Sequence, residues 1–454
     1  MRKILPTIAV CILALPLFSQ QGPLLQNFKY RISKYRAINY SINGSSQFAQ
    51  YNQGIGNFKN SASNGSFGAG YFTTRSTDRI LLTASYSLYS FFQSYKSSSP
   101  FVENLTNRSF NVSPSVNVLN KWFAKNHFTE LGVAANYNYG INKNRNTNPV
   151  NVDKNNQDNY FVAIQTGIGK GRLENVTNMQ NGLWLYKELQ DANLLTRPLS
   201  DAELNDLGQS ITDGNNTRVL DARRRTQFIL KTVDNYFQQK GLIAKTDINY
   251  FTRLNDILFF AVNNQRLNGT EKFIRFIPAI YSDNHESTSN NLTDKSRQTY
   301  TSQSLVLSSG FNRYKTTSLT HQNNYGAAVK LAYIDKEFTT RDITGGVVYN
   351  LETNRTIKQA GANVFFQHAI YPNTRTVILF DLQSQGGYQE IGDQSEFYNG
   401  TSLSGIMNYF ISYRTMLRCN IGASFEKNMY YALPNTTQLE RILLNANIGL
   451  DISL

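Results

Sequence analysis

Residues 442–454 read Ile442-Leu443-Leu444-Asn445-Ala446-Asn447-Ile448-Gly449-Leu450-Asp451-Ile452-Ser453-Leu454. Every even position is apolar, whereas the odd positions are mostly Asn, Gly, Asp and Ser. Successive side chains of a β-strand point to opposite faces of the sheet, so this period of two indicates a strand with one apolar and one polar face. The same alternation occurs in 80–88 and 128–139, where the polar positions include Ser85, Ser87, Asn136 and Asn138.

The alternating segments are much longer than strands of soluble proteins, which run about 5–6 residues. A tilted strand needs about 9–11 residues to cross a bilayer. Hydrocarbon offers no partner to backbone N–H and C=O groups, so a sheet that spans a membrane must close on itself. The lengths therefore predict an all-β, transmembrane antiparallel β-barrel rather than a soluble sandwich. The longest alternating segments are 79–95, 104–123, 126–143, 374–387, 414–430 and 438–454.

The connections and the aromatic residues support the same prediction. Short turns at 74–78, 124–126, 371–375 and 412–415 alternate with longer polar loops at 96–103, 143–157, 282–296 and 390–398. Short turns on one side and long loops on the other are typical of outer-membrane barrels. Aromatic residues near predicted strand ends would form the two interfacial belts; these are Tyr30, Tyr35, Tyr71, Phe72, Phe91, Phe92, Trp122, Phe123, Tyr409, Tyr413, Tyr430 and Tyr431.

Composition excludes several classes of protein. Charged residues make up 17% of the 454 residues and mean hydropathy is −0.41. No run of about 20 apolar residues follows the N-terminal segment, so a bundle of membrane helices is excluded. Plentiful apolar and aromatic residues argue against disorder. The net charge of +14 favours anionic lipid head groups or polysaccharide over nucleic acid, because the N-terminus predicts export.

Residues 1–19 have the form of a secretory signal peptide. Arg2 and Lys3 precede an apolar run from Ile4 to Phe18, and Ser19 ends a plausible cleavage site before Gln20. We expect cleavage there, an N-terminus in the periplasm and the outer membrane as the final location. The predicted organisation is a first barrel part at 20–173, a helical insertion at 174–266 and a second barrel part at 267–454.

Within 174–266 the apolar period changes from 2 to 3.6, which predicts helices. The first has Met179, Leu183, Tyr186 and Leu189 on one face, with Thr177–Gln180 in capping-box form. Ser200–Glu203 is a better capping box, flanked by Leu199 and Leu204 as a hydrophobic staple, and Gly214-Asn215 is a stop signal. Further helices are predicted at 217–239 and 247–262. We expect the insertion on the periplasmic side, beneath or partly inside the barrel.

The predicted strand number is 14. The raw tally is about six strands before the insertion and about nine after it, whereas a barrel with both ends in the periplasm needs an even number. The region 335–371 is the suspected error, and we expect it to hold one strand and a long outer loop. Barrels of 12 or 16 strands are the alternatives. A barrel of this size has a lumen too wide for side chains alone to fill, so a channel or a plug is expected.

The C-terminal strand resembles that of gram-negative outer-membrane β-barrel proteins. The resemblance implies that this strand is recognised by the barrel-assembly machinery, with Ile448, Leu450, Ile452 and Leu454 as the signal. It departs from the family at Leu454, where many members have Phe. The segments 169–176 and 218–223 are similar to a module of uncharacterised Bacteroidota-type barrels, which implies a periplasmic helical insertion and no known activity.

No catalytic, cofactor or metal site is predicted. The four histidines, His127, His285, His321 and His368, lack metal-ligand spacing. His285, beside Asp283, Glu286 and Ser287 in a predicted long loop, is the one local cluster of chemically active side chains. The glycines of 167–171 do not form a dinucleotide loop, because no βαβ unit follows them.

The polar strand faces favour a pore for a polar solute. The alternative is an accessory barrel whose insertion binds a periplasmic or membrane partner, with Arg218, Arg223, Arg224 and Arg225 as the candidate partner or lipid contact. A structural reading of Arg223, Arg224 and Arg225 is a solvated helix face or an intrahelical pair with Asp221. An outer-membrane hydrolase that uses His285 and a soluble exported adhesin are weaker alternatives.

Overall fold

A computed structural model describes residues 22–53, 56–98, 105–147, 150–217, 222–259, 265–289, 294–344, 346–392, 394–412, 415–432 and 435–452. The predicted signal peptide at 1–19, together with Arg218, Asp221 and Leu454, lies outside these residues.

Within these ranges, fourteen strands form one antiparallel sheet in which hydrogen-bonded neighbours follow the order of the sequence from β1 to β14. The predicted number of 14 is confirmed. The described ladders do not join β1 to β14, so closure of the barrel stays a prediction. The strands are β1 Ile32–Gln53, β2 Gly56–Ser76, β3 Ile80–Ser98, β4 Leu105–Ala124, β5 His127–Thr147, β6 Val150–Asn175, β7 Leu267–Ser289, β8 Asp294–Thr316, β9 His321–Thr344, β10 Val347–Asn373, β11 Thr376–Ile391, β12 Gln394–Ser412, β13 Thr415–Ala432 and β14 Asn435–Ile452.

The register gives the sheet one apolar and one polar face. In β14, Leu444 pairs with Ala423 and Ile448 with Cys419 on the apolar face, whereas Asn445 pairs with Gly422 on the polar face. The apolar side chains are not covered by protein: Leu444 is 79% and Ile448 76% exposed. An apolar surface of this extent is a membrane or interaction surface rather than a solvated one.

The long loops predicted at 143–157, 282–296 and 390–398 are wrong, whereas most of the loop predicted at 96–103 lies outside the described residues. Residues 143–147 pair with 150–154, so the ladder between β5 and β6 continues into the segment predicted as a loop. Residues 282–289 likewise pair with 294–301. The strands are 16 to 27 residues long, so the longest exceed the 9–11 residues that cross a bilayer. The extra length forms paired hairpins instead of loops.

The strand and long loop predicted in 335–371 are also incorrect. This region holds the end of β9 and most of β10, and Glu337 pairs with Asn354 while Phe338 pairs with Thr353. The two polar segments that resemble connections are therefore opposite one another in a ladder. Eight strands follow the insertion, one fewer than the nine first counted from the sequence, and the total of 14 is even.

The described part of the chain also has five helices. Helix α1 (Gly22–Asn27) precedes β1, and the helical insertion between β6 and β7 contains α2 (Thr177–Asp191), α3 (Asp201–Asn216), α4 (Ala222–Gln239) and α5 (Ile248–Phe259). None of the described helices is both long and apolar enough to span a bilayer.

One of the two predicted capping boxes forms. The Ser200 side chain accepts a hydrogen bond from the Glu203 N–H, and the Glu203 carboxylate accepts one from the Ser200 N–H. Arg197 also donates to Glu203, and this pairing lowers the pKa of the carboxyl well below its usual range. The capping box predicted at Thr177–Gln180 is wrong: Val176 is the N-cap of α2, and no side chain caps it. Thr177 Oγ1 instead accepts from the Arg266 N–H.

We expect Ser200→Ala to destabilise the helical insertion by about 1 kcal/mol, the usual value of an N-cap hydroxyl. The N–H of Glu203 would lose its acceptor, and Glu203 would lose one of its donors. Amide hydrogen exchange of α3 would measure the change. Ser210→Ala, in the last turns of the same helix, is the control, and equal effects of the two substitutions would contradict the assignment of Ser200 as the cap.

Candidate functional site

The polar face of the sheet carries a continuous band of hydroxyl and amide groups. Ser87 Oγ lies 2.6 Å from Ser115 Oγ on the next strand. Asn138 Oδ1 accepts hydrogen bonds from Ser113 Oγ at 2.5 Å and from Asn111 Nδ2 at 2.7 Å. Across β3, β4 and β5, neutral polar groups therefore satisfy one another along the wall. Ser87 and Asn138 are among the positions that the alternation assigned to this face.

Four charged side chains form a network on the polar face, close to the end of the sheet that carries the insertion. Lys121 of β4 is 2.7 Å from Glu271 of β7 and 3.4 Å from Glu130 of β5. Arg275 of β7 binds both carboxylates. The Glu130 side chain is fully buried, and Lys121 and Glu271 are nearly so. Two cations and two anions at such distances leave the network with no net charge.

Sequence reasoning missed this network. The available signal is the placement of Lys121 and Glu130 at equal distances from the 125–126 turn, which makes them cross-strand partners with opposite charges. Their long-range partners on β7 cannot be found in this way, because the insertion separates β7 from β6 in the sequence. Breaking a buried pair of this kind costs about 3–5 kcal/mol, since it leaves a charge without a partner.

The glycines at 167 and 169 make room for the network. They lie on the polar face of β6, and a Cβ at Gly167 would be 2.7 Å from Glu130 Oε1 and 2.9 Å from the Ile274 carbonyl oxygen. The Phe128 ring and the Lys272 carbonyl oxygen occupy the corresponding space at Gly169. Bulky side chains of β5 therefore lie over a part of β6 that has no side chains on its polar face.

The helical insertion has its own hydrophobic core, to which the N-terminal segment contributes. Leu25 of α1 is fully buried and Phe28 almost so, in one cluster with the buried residues of α2 to α5. A Cβ at Gly208 of α3 would be 2.8 Å from Met179 Sδ and 3.0 Å from Phe28. Helices α1, α2 and α3 thus pack at close approach, and the N-terminal segment is part of the same folded unit as the insertion.

Arg266, at the junction of the insertion and β7, has no exposed surface. Its guanidinium donates to the carbonyl oxygens of Ser318, Leu319 and His321 in the connection between β8 and β9, and to Gln322 Oε1. Burial lowers the pKa of Arg266 to about 10, which leaves the side chain charged at neutral pH. One buried cation therefore holds the junction against the neighbouring hairpin.

The remaining ties between the helical unit and the sheet are spread from β1 to β11. Gln209 of α3 donates to the Arg31 carbonyl oxygen just before β1. Gln26 of α1 donates to the Thr316 carbonyl oxygen at the end of β8. Asp256 of α5 pairs at 2.8 Å with Arg375 in the turn between β10 and β11. A unit anchored to so many strand ends lies across the end of the sheet rather than beside one strand.

The predicted contact residues of the insertion lie at the start of α4. Arg224 and Arg225 are exposed, and Arg225 Nη2 is 3.5 Å from the Asn215 carbonyl oxygen. Arg223 belongs to the described backbone of α4, whereas Arg218 lies outside the described residues, as does Asp221, the suggested partner of Arg223, Arg224 and Arg225. Their role as a partner or lipid contact stays a prediction.

In the predicted assembly strand, Ile448 and Leu450 lie on the apolar face and are 76% and 54% exposed. Ile452 is the last described residue of β14 and pairs with Thr415. Recognition of this strand by assembly machinery stays a prediction.

The placement of His285 in a loop is wrong, because His285 lies inside β7 and pairs with Gln298 of β8. Asp283, His285 and Ser287 lie on one face of the strand and Glu286 lies on the other, so the four side chains of the predicted cluster do not come together. Among the described residues, no group of three or more His, Cys, Asp or Glu side chains could hold a metal ion.

Comparisons of the sequence with protein-family models and with curated proteins give no match. Among solved structures, the chain is similar to the β domain of the Bordetella autotransporter BrkA (8% identity, 83% of this chain and 100% of that chain, TM-score 0.26). It is also similar to the ferric yersiniabactin uptake receptor FyuA from Yersinia pestis (6%, 93% and 72%, 0.31) and to the CymD monoaromatic hydrocarbon channel (10%, 98% and 93%, 0.23). These neighbours are outer-membrane β-barrels, and likeness at this level carries nothing about solute or partner.

Proposed function

We propose that this protein is an integral outer-membrane β-barrel that acts as a channel for a polar solute, with the helical unit as a cover over one end of the lumen. The observation that carries the proposal is a single sheet of fourteen strands within the described residues, with an uncovered apolar face and a continuous polar face. Closed edge to edge, such a sheet presents its apolar face to lipid and its polar face to a lumen.

The proposed orientation places the helical unit in the periplasm. The start of β1, the end of β6 and the end of β14 lie at the same end of the sheet, because the strands alternate in direction. An exported chain that carries its N-terminus and C-terminus at the periplasmic side would have α1 to α5 there too. The similarity of 169–176 and 218–223 to Bacteroidota-type barrels is part of the same proposal.

The chemistry of the polar face favours an uncharged polar solute. Serine, asparagine and glutamine side chains offer both donors and acceptors, whereas the Lys121–Glu130–Glu271–Arg275 network is electrically balanced. The other charged side chains of this face include both signs, such as Lys330 of β9 and Asp381 of β11, so neither cations nor anions are strongly favoured. Hydroxyl-bearing solutes would exchange hydrogen bonds with this wall at little cost. We propose no catalytic role.

Planar-bilayer conductance tests the channel. The full chain is compared with a variant in which residues 176–266 are replaced by Asn-Gly, a two-residue turn that suits a hairpin. Asn175 and Leu267 are cross-strand partners, so the turn can join β6 to β7. We expect severalfold higher conductance in the variant, because the cover is removed. A folded variant without any current would contradict the channel.

A milder variant keeps the helical unit intact. Arg375→Gln removes the ion pair with Asp256 that ties α5 to the turn between β10 and β11. We expect a smaller rise in conductance than in the variant without the insertion, because an exposed ion pair contributes only up to about 1 kcal/mol.

The alternative function, an accessory barrel with a docking insertion, is favoured by exposed apolar residues on α5. Ile248 is 85% and Phe251 38% exposed. In this reading, Ile248→Ser with Phe251→Ser abolishes co-purification of a periplasmic or membrane partner, and conductance of the barrel is unchanged.

A further inference from the structure

A groove of about 850 Å³ lies on the apolar face of the sheet, near the end that carries the insertion. The register places Trp122, Thr129, Ile168, Ile274 and Ser309 in one row across β4 to β8. The next row toward the strand ends is Ala124, His127, Lys170, Lys272 and Phe311. All ten residues line the groove.

The second row contains two lysines side by side. Lys170 of β6 and Lys272 of β7 are direct cross-strand partners on the same face, and both are exposed. Like charges directly opposite each other destabilise a sheet. Within the described part of the chain, no carboxylate forms an ion pair with either lysine. An anion between the two ammonium groups would convert this repulsion into attraction.

The surroundings of the lysine pair identify the kind of anion. Toward the middle of the sheet, the groove is lined by Ile168 and Ile274, which suit hydrocarbon and not a hydrated ion. Trp122 and Phe311 stand at its two sides, four strand spacings or roughly 19 Å apart. Aromatic side chains of this kind lie at the level of lipid head groups. A free phosphate would use the lysines alone and leave the apolar part of the groove in water.

We propose that this groove binds an anionic phospholipid, with its phosphate between Lys170 and Lys272 and its acyl chains along Ile168 and Ile274. The proposal rests on the proposed function, because it needs the apolar face to lie in a membrane. The lipid belongs to the leaflet on the insertion side and is distinct from any contact of the α4 arginines. Its charge complements the lysine pair, and its tails cover the apolar lining.

Trp122 provides a direct probe, because the chain has two tryptophans and the other is Trp184. Trp184 is buried in the insertion, and its Nε1 has no hydrogen-bond partner among the described residues, so Trp184→Phe removes none of the hydrogen bonds seen there. In this background, the full chain is reconstituted in phosphatidylcholine vesicles with a fraction of phosphatidylglycerol. Bromine near the head group of one lipid or the other quenches the Trp122 fluorescence when that lipid occupies the groove.

We expect brominated phosphatidylglycerol to occupy the groove with a preference of about tenfold over brominated phosphatidylcholine. Lys170→Gln with Lys272→Gln should reduce the preference to about one. The control is Lys59→Gln with Lys96→Gln, two exposed lysines on the same face of β2 and β3 at the opposite end of the strands, and it should retain the preference.

Each other outcome is decisive. Equal quenching by both lipids, or an equal loss in the two double variants, would overturn the headgroup site and leave the barrel proposal intact. Loss of the preference on addition of inorganic phosphate, against chloride at the same ionic strength, would show a free-phosphate site and overturn the lipid assignment. Absence of quenching by either lipid would show that Trp122 lies outside the bilayer, and the proposed function would fail with it.

Discussion

We expect Arg266→Leu to release the helical unit from the end of the sheet while the fourteen-strand sheet stays folded. The substitution removes the Arg266 donors to the carbonyl oxygens of Ser318 and Leu319 and to Gln322 Oε1, whereas the His321 carbonyl oxygen still accepts from the Thr317 and Ser318 N–H groups. Each buried carbonyl left without a donor costs about 1–3 kcal/mol. Because the site is fully buried, water cannot replace the guanidinium without opening the packing, and the total loss is on the order of 5 kcal/mol.

Hydrogen exchange of the backbone amides measures this release. Amides at the junction, in 265–268 and 316–322, should exchange on the order of a thousandfold faster, since each 1.4 kcal/mol corresponds to a factor of ten. Amides in the middle of β3 to β5 should be unchanged. Conductance should rise toward that of the chain without the insertion, because the cover is no longer held.

Two variants make the Arg266 experiment specific. Arg253→Leu removes an arginine of α5 that is partly exposed and pairs with Glu188, and it should have little effect. Arg266→Lys keeps the charge but cannot supply the same fork of donors, so its effect should be intermediate. If Arg266→Leu and Arg253→Leu accelerate exchange equally, the buried arginine does not anchor the unit.

The alternation of apolar and polar residues was sufficient to predict the sheet and its faces. A strand at a lipid boundary must be apolar on one side and polar on the other. The alternation within 442–452 is therefore enough to predict a strand and its two faces. A barrel with both chain termini on one side must have an even number of strands, and this requirement predicts 14. The region suspected of error, 335–371, was nevertheless misread.

The same physics explains why the far ends of the strands were mistaken for loops. Beyond the hydrocarbon both faces of a strand meet water, so neither needs apolar residues and the period of two disappears. Segments such as 143–147 and 150–157 then have the composition of a loop, while their backbones continue to pair. The pattern of residue types indicates the surroundings of the side chains. Backbone pairing does not depend on those surroundings, so it can continue where the pattern ends.

The anchoring side chains could not be found from the sequence for a different reason. Arg266 acts on 318–322, more than 50 residues away, and Lys121 binds Glu271 across the whole insertion. No local spacing encodes such pairs. The glycines of 167–171 are visible in the sequence, but their structural role depends on Phe128 and Glu130, which lie on another strand.

The close packing of Phe128 and of β7 against Gly169 has a large expected consequence. Gly169→Ala should prevent the sheet from reaching its folded state. A single methyl group at this position would overlap the Phe128 ring and the Lys272 carbonyl oxygen. The ring could rotate away, but the carbonyl belongs to the ladder between β6 and β7 and cannot move without breaking it. We expect a loss of at least about 3 kcal/mol, at or above the upper range for overpacking.

The folded fraction can be measured from the difference in gel mobility between heated and unheated samples in detergent. Gly449→Ala is the matched control, because Gly449 also lies on the polar face, in β14, and a Cβ there meets no atom of the described residues within 4 Å. It should fold like the parent chain. Phe128→Ala combined with Gly169→Ala should recover only part of the loss, since the carbonyl overlap remains. Full recovery would place the whole conflict in the aromatic ring, and unimpaired folding of Gly169→Ala alone would contradict the close approach of β5 and β7 over β6.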